Sequence, residues 1–137
     1  MKGRKLYLLC GVSGSGKTWV CKKLTNKYNY VPHDLNFANI YQAVSIAASK
    51  SSNPIITECP FGERIQREAL EKLGFEVIPL FIVLDSDLAA LRYFEREGKK
   101  IYKSAYKRAT SIVNRALEWK AQFGSSKEIF DHLNNLI

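Results

Sequence analysis

The sequence predicts an α/β protein in three layers, α/β/α, with a parallel sheet between two layers of helices. Two observations carry this expectation. Short apolar runs alternate with longer amphipathic stretches in the order βαβαβαβα, and such alternation places crossover helices on both faces of a parallel sheet. The first strand candidate, Leu6 to Cys10, is apolar throughout, which is the pattern of a strand covered on both sides.

The elements follow in order. After Leu6–Cys10 comes the glycine-rich Gly11 to Gly16, then a helical stretch from Lys17 to Tyr28. Tyr30-Val31-Pro32 reads as a short second strand ending at His33-Asp34. Asn36 to Lys50 reads as a helix, with Ile40, Val44, Ala47 and Ala48 along one stripe, and Lys50 to Asn53 as a turn. Pro54 to Thr57 is the third strand, ending at Glu58-Cys59-Pro60. Gly62 to Leu73 is an amphipathic helix that Gly74 stops. Glu76 to Leu84 is the most apolar run and reads as a central strand, with Pro79 arguing against pairing in its first half. Asp85-Ser86-Asp87 caps a helix running from Leu88 to Arg96, and Gly98-Lys99-Lys100 breaks it. Ser104 to Phe123 reads as a long helix, and Lys127 to Leu136 as a short final one.

One domain, residues 1–137, is expected for a chain of this length. Hydrophobic residues make up 46% and charged residues 25%, enough for one core but not for a large appended module. The formal net charge is +8 and the pI about 9.5. Such an excess favours polyanionic partners such as nucleotides or nucleic acid, although many small proteins are basic without one. Cys10, Cys21 and Cys59 are odd in number, widely spaced and form no C-x-x-C. They speak against a disulfide framework or zinc site and for a reducing compartment. The apolar run between Leu6 and Val12, interrupted by Gly11, is too short for a signal segment or a membrane span. A soluble, cytoplasmic protein with no membrane partner is expected.

Gly11-Val12-Ser13-Gly14-Ser15-Gly16-Lys17-Thr18 matches G-x-x-x-x-G-K-[ST] in full, with a strand before it and a helix after it. The chemistry explains the spacing. Glycines let the backbone wrap closely and turn its N–H groups on phosphates, the helix opening adds a positive dipole end, and the lysine ammonium reaches the β- and γ-phosphates. The hydroxyl of Thr18 is placed to ligate Mg²⁺. Ser13, Gly14, Ser15, Gly16, Lys17 and Thr18 are the expected triphosphate contacts. GTPases and motor ATPases need more chain for switches, base recognition and assembly, so a small kinase is the economical reading.

Transfer between bound molecules also needs an orienting carboxylate and cations against the moving charge. Asp34 follows the second strand, on the rim that strand ends share with the phosphate loop. It either orients an acceptor hydroxyl or caps the next helix. Glu58 ends the third strand on the same rim. It either helps hold Mg²⁺ through water, contacts the acceptor, or is a solvated strand-end acid; Thr57 beside it can bond to backbone. Arg92 and Arg96, four apart on one helix face, with Lys99 and Lys100 beyond Gly98, suit a lid over residues 92–104 that closes on the triphosphate. The alternative is a solvated face paired with Glu95 and Glu97. Lys103, Lys107, Arg108, Arg115 and Lys120, with Tyr102 and Tyr106 between them, either track a nucleic-acid strand or are a basic helix with packing tyrosines. His33 and His132 lack metal spacing. Trp19 and Trp119 read as packing residues.

On these residues the chain resembles the small P-loop kinases of the adenylate kinase-like group, and within it the phage polynucleotide kinases and related phage nucleotide kinases. The likeness rests on Gly11–Thr18, on Asp34 at the end of strand two, on Pro54–Glu58, and on Leu91 to Arg96 after Phe81–Asp85. It spans most of the chain, and only the phosphate loop is highly specific. It implies a P-loop NTPase fold with sheet order 2-3-1-4 and an optional fifth strand, although no clear fifth strand follows the lid because Lys127 to Ile137 reads as helix, and it implies ATP with Mg²⁺ as donor. It also implies Asp34 as activator of the acceptor hydroxyl, and Arg92 or Arg96 as the lid arginine on the transferring phosphate. No phosphatase domain fits, and the segment between Asp34 and Pro54 is short for a nucleoside-monophosphate lobe. The expected activity is therefore transfer of the γ-phosphoryl of ATP to a hydroxyl of a nucleotide or polynucleotide, a DNA or RNA end or a modified base. Two alternatives stay open: a small-metabolite kinase similar to shikimate or gluconate kinases, and a non-catalytic nucleotide-dependent module on nucleic acid.

Overall fold

Leu6 to Cys10, with no charged side chain among them, form the middle of the central strand β1 (Arg4–Gly11). The computed structural model describes residues 3–11, 15–32, 37–60, 64–84 and 103–137. The other described strands are β2 (Asn29–Val31), β3 (Ile55–Pro60), β4 (Phe75–Ile82) and β5 (Gln122–Gly124). The described helices are α1 (Lys17–Lys23), α2 (Phe37–Lys50), α3 (Arg64–Lys72), α4 (Lys103–Glu118) and α5 (Ser126–Asn135). All five strands run parallel in one sheet of order β2-β3-β1-β4-β5. The fold is thus the expected α/β/α arrangement, with its order 2-3-1-4 extended by a fifth strand.

The two helical layers follow from the pleat, since successive strand side chains face opposite sides. Leu6, Leu8 and Cys10 point to one side, where they meet Val44 of α2, Leu70 of α3 and Ile112, Val113 and Ala116 of α4. Tyr7 and Leu9 point to the other, against Val20 and Cys21 of α1 and Ile129 and Leu133 of α5. Leu6, Leu8, Leu9, Ile55 and Ile56 are fully buried, each stabilising the fold by about 1.5–3 kcal/mol relative to exposure. No helix among the described residues is long and apolar enough to cross a membrane.

Several boundaries differ from those predicted by pattern. The periodicity predicts a helix through Phe123, but α4 ends at Glu118. The chain then turns through Trp119 and Lys120, the latter in a left-handed conformation with φ 53°. The N–H groups of Lys120 and Ala121 donate to the carbonyls of Leu117 and Ala116, satisfying the helix end. Gln122–Gly124 then pair with Leu80–Ile82 as the edge strand. A non-glycine residue in the left-handed region carries no composition signal, so the stop is invisible in the pattern. Similarly, the first helix ends at Lys23 rather than Tyr28. Tyr28 is core: its ring meets Tyr7 edge-on at 5.5 Å, and its hydroxyl donates to the Leu133 carbonyl at 2.6 Å. The third strand extends beyond Thr57 to Pro60, in ladder with Gly11.

Pro79 is accommodated where β5 has not yet begun: the β4–β5 ladder starts at Leu80, so the outer edge of β4 is uncovered at the proline. At the opposite end of the sheet Arg4 ties β1 to the end of α2, donating to the carbonyls of Ala48, Ser51 and Asn53. The start of α5 is closed by a capping box. The Glu128 N–H donates to Ser125 Oγ, and the Ser125 N–H to Glu128 Oε1, both at 3.1 Å.

Candidate active site

The described parts of the phosphate loop are Gly11 and Ser15 to Thr18. Two glycines are needed there for different reasons. A Cβ on Gly11 would lie 2.6 Å from the Ile82 carbonyl oxygen and 2.8 Å from Ser15 Oγ, so the loop leaves β1 through a gap that admits no side chain. Gly16 sits at the start of α1 with φ 105°, and a Cβ on it would lie 2.8 Å from Ser126 Cβ. The phosphate loop therefore rests directly on the first residue of α5.

Lys17 is only 7% exposed, and its Nζ donates to the Gly11 carbonyl at 2.7 Å. That bond folds the lysine back over the loop it belongs to. Burial holds its pKa below the usual lysine range, and the Glu58 carboxylate partly offsets this. Ser15 Oγ is buried without a hydrogen-bond partner among the described residues. An orphaned hydroxyl beside a buried ammonium, in a cradle that no Cβ could share, fits an anionic phosphate group.

Next to the loop, Glu58 at the end of β3 is held by both carboxylate oxygens. Thr18 Oγ1 donates to Oε1 at 2.8 Å, and the Tyr30 hydroxyl of β2 donates to Oε2 at 2.5 Å. Glu58 is 8% exposed, so these charge-assisted bonds form largely out of water. The Tyr30 phenol is pushed well above its ordinary pKa, first by burial and then by Glu58 as bond acceptor and negative charge. Behind them, Thr57 Oγ1 donates to the Val31 carbonyl at 2.7 Å, and the buried Gln66 of α3 donates to the Glu58 carbonyl at 3.3 Å. The backbone under the acid is thereby pinned from two elements.

This donor set suits Mg²⁺, a hard cation that takes oxygen ligands and is usually bound through one or two protein groups together with substrate phosphates. Among the described residues no group of three or more His, Cys, Asp or Glu is gathered to hold a metal. Thr18 and Glu58 are the residues that would hold the ion. When bound, it would neutralise charge on the phosphates.

Of the site residues expected from sequence, the fold brings Ser15, Gly16, Lys17, Thr18 and Glu58 together at the ends of β1 and β3. Ser13, Gly14, Asp34, Arg92 and Arg96 lie outside the described residues, as does nearly all of the 92–104 lid. Tyr30 and Gln66 were not legible as site residues. Neither belongs to a motif, and only the β2–β3 pairing and the packing of α3 bring them to Glu58. Of the basic run on the last long helix, Arg115 pairs with Glu118 at 3.2 Å and its guanidinium lies 5.7 Å from the Trp119 ring centre. Trp119 packs on Phe81, and Trp19, 46% exposed, on Phe130. The three cysteines are buried thiols outside any disulfide. Burial and the neighbouring Cys59 thiol push Cys10 well above the ordinary thiol range.

No protein-family model matches the sequence, and no curated protein matches it. Solved structures do. A gluconokinase from Sinorhizobium meliloti 1021 is 16% identical with a TM-score of 0.50, over 96% of this chain and 90% of that one. A sugar kinase from Janibacter sp. HTCC2649 is 17% identical with a TM-score of 0.50, over 95% of this chain and 92% of that one. At these identities the likeness is one of fold alone: the chain shares the five-stranded parallel α/β architecture with these two kinases.

Proposed function

We propose that the protein is a phosphotransferase that moves the γ-phosphoryl of ATP to an acceptor hydroxyl. The observation that carries this is the convergence at one strand-end rim of Lys17 on the Gly11 carbonyl and Thr18 on the Glu58 carboxylate. Lys17 meets the β- and γ-phosphates, Ser15 and the loop backbone donate to phosphate oxygens, and Glu58 accepts the hydrogen bond of the Thr18 hydroxyl, which would leave the hydroxyl oxygen's lone pairs for the ion. Asp34 orients the acceptor hydroxyl, and Arg92 or Arg96 closes over the transferring group. Such a site works by positioning and charge stabilisation, with little covalent chemistry left to the protein.

Two acceptor classes come into question. The charge of +8 favours a nucleotide or polynucleotide hydroxyl, as in polynucleotide kinases. The names of the fold neighbours, a gluconokinase and a sugar kinase, favour a small metabolite. Incubation with γ-labelled ATP, Mg²⁺ and a panel of both classes tests the reading, with Asp34→Asn as control. Label should pass to an acceptor with the native protein, whereas Asp34→Asn should bind ATP and transfer little. ATP binding without transfer to any acceptor, together with salt-sensitive DNA binding, would instead identify a nucleic-acid-binding module.

A further inference from the structure

The face of the sheet opposite the Glu58 contacts bears on the choice of acceptor. There β1, β4 and α4 enclose a cavity of about 180 Å³ lined by Cys10, Gly11, Phe81, Ser111, Ile112 and Arg115. Gly11 belongs to both sites. Its carbonyl accepts the Lys17 ammonium, and it also forms part of the cavity wall. A molecule in the cavity therefore lies against the residue that holds the phosphate-loop lysine.

Size and lining narrow what fits. Pockets that enclose drug-sized ligands measure roughly 300–1,000 Å³, and a whole nucleotide belongs to that size class. This cavity is smaller. Cys10, Phe81 and Ile112 give it an apolar floor, while Ser111 and Arg115 supply the polar side. No carboxylate lines it among the described residues. A second cation stands close by: the Arg67 guanidinium lies 4.8 Å from the Trp119 ring centre, and that ring packs on Phe81 in the cavity wall. The Cys10 thiol in the same wall feels the charges of both Lys17 and Arg67, although burial and Cys59 outweigh them. Arg115 is steadied by Trp119 and by Glu118, which takes one terminal nitrogen. A guanidinium has five N–H donors, so others remain for a ligand.

We infer that this cavity is the acceptor site, and that it takes a small hydroxylated molecule bearing an anionic group, carboxylate or phosphate, which Arg115 recognises. The inference rests on the kinase reading above. The Ser111 hydroxyl bonds a polar group of the acceptor, and the acceptor hydroxyl lies at the Gly11 end of the cavity, the end nearest the phosphate loop.

Calorimetric binding to the full chain, run beside label transfer from ATP, tests this with charge-matched probes. Glycerate and gluconate are set against glycerol and glucose, with glycerol 3-phosphate and a 5′-hydroxyl oligodeoxynucleotide alongside. At least one anionic probe should bind roughly ten- to a hundredfold more tightly than its neutral counterpart. Arg115→Gln should remove that preference while ATP affinity stays at the native value. Ser111→Phe, a change at an exposed position on the cavity mouth, should block the probe and spare ATP. Binding of the oligonucleotide alone, equal binding of charged and neutral probes, or a preference that survives Arg115→Gln overturns the inference. A failure of the kinase reading looks different: the anion binds in an Arg115-dependent way, yet no label leaves ATP.

Discussion

The two faces of the sheet meet the same strand ends with opposite kinds of chemistry. On the α1/α5 side, both oxygens of the Glu58 carboxylate are engaged, by Thr18 and Tyr30, and Lys17 is seated on Gly11. On the α2/α3/α4 side there is space, and the cations beside it are held by stacking on Trp119 and pairing with a surface glutamate. The first arrangement is rigid because buried, charge-assisted bonds fix its geometry in a low dielectric. The second relies on long side chains that adapt. The proposed donor site is thus set by the fold, while the proposed acceptor site is open to retuning by a few helix residues.

The contrast is most exposed to substitution of Lys17. Lys17→Met should lower phosphoryl transfer by about 10²–10³-fold and abolish tight ATP binding, without lowering the stability of the nucleotide-free protein, because a buried charge is removed. Kinetics, calorimetry and urea unfolding check the three parts. Unchanged ATP affinity would break the distinction between the faces.

Glu58→Gln comes next. Its amide turns an N–H₂ towards one of two hydroxyl donors, and leaving a buried donor unmatched costs about 1–3 kcal/mol. Denaturant unfolding should register that loss, while Arg115→Gln on the other face should stay within about 0.5 kcal/mol of the native protein. Gly16→Ala should cost a similar 1–3 kcal/mol, roughly, from its left-handed backbone and from the close approach to Ser126. Adding Ser126→Gly should recover only the steric part, which unfolding of the double variant measures.

Tyr30→Phe should be milder. It keeps the ring and removes one bond to Glu58, so the fold should persist while the Mg²⁺ concentration needed for ATP binding rises about tenfold. A titration of Mg²⁺ at fixed ATP, read by binding rather than turnover, sharpens whether the tyrosine sets the acid's position.

The smallest effect is on pH. Burial lowers the Lys17 pKa, so the folded protein releases this proton before the unfolded chain does. Between the lowered value and the ordinary one near ~10.4, the unfolded state binds more protons, and stability from this group rises with pH. ATP binding needs the ammonium and should weaken over the same interval. Melting temperature and ATP affinity should therefore move in opposite directions on the alkaline side; parallel movement would assign the titration to another group.

Much of the fold was legible because its signals are local. A continuous apolar run next to a glycine-rich loop marks β1 and α1, and alternation with amphipathic stretches marks the parallel sheet. β5 was not legible. It is three residues long, follows a left-handed Lys120, and owes its existence to the ladder with Leu80–Ile82. In the site, Lys17, Thr18 and Glu58 could be named from a motif and a strand end. Tyr30 could not, because it reaches Glu58 only across two paired strands. The cavity left no trace in the sequence, since Cys10, Phe81 and Arg115 are far apart in it and individually ordinary.

By itself, then, the sequence determined the α/β alternation and the glycine-rich loop with its lysine and hydroxyl, because these depend on neighbouring residues and on backbone freedom at glycine. Only the tertiary structure decided that Glu58 is clamped by Thr18 and Tyr30, that Gly16 rests on Ser126, and that Gly11 separates the loop from a cavity walled by Arg115. Those relations depend on strand order and on which side of the pleat each residue faces, and both are settled only when distant segments pack.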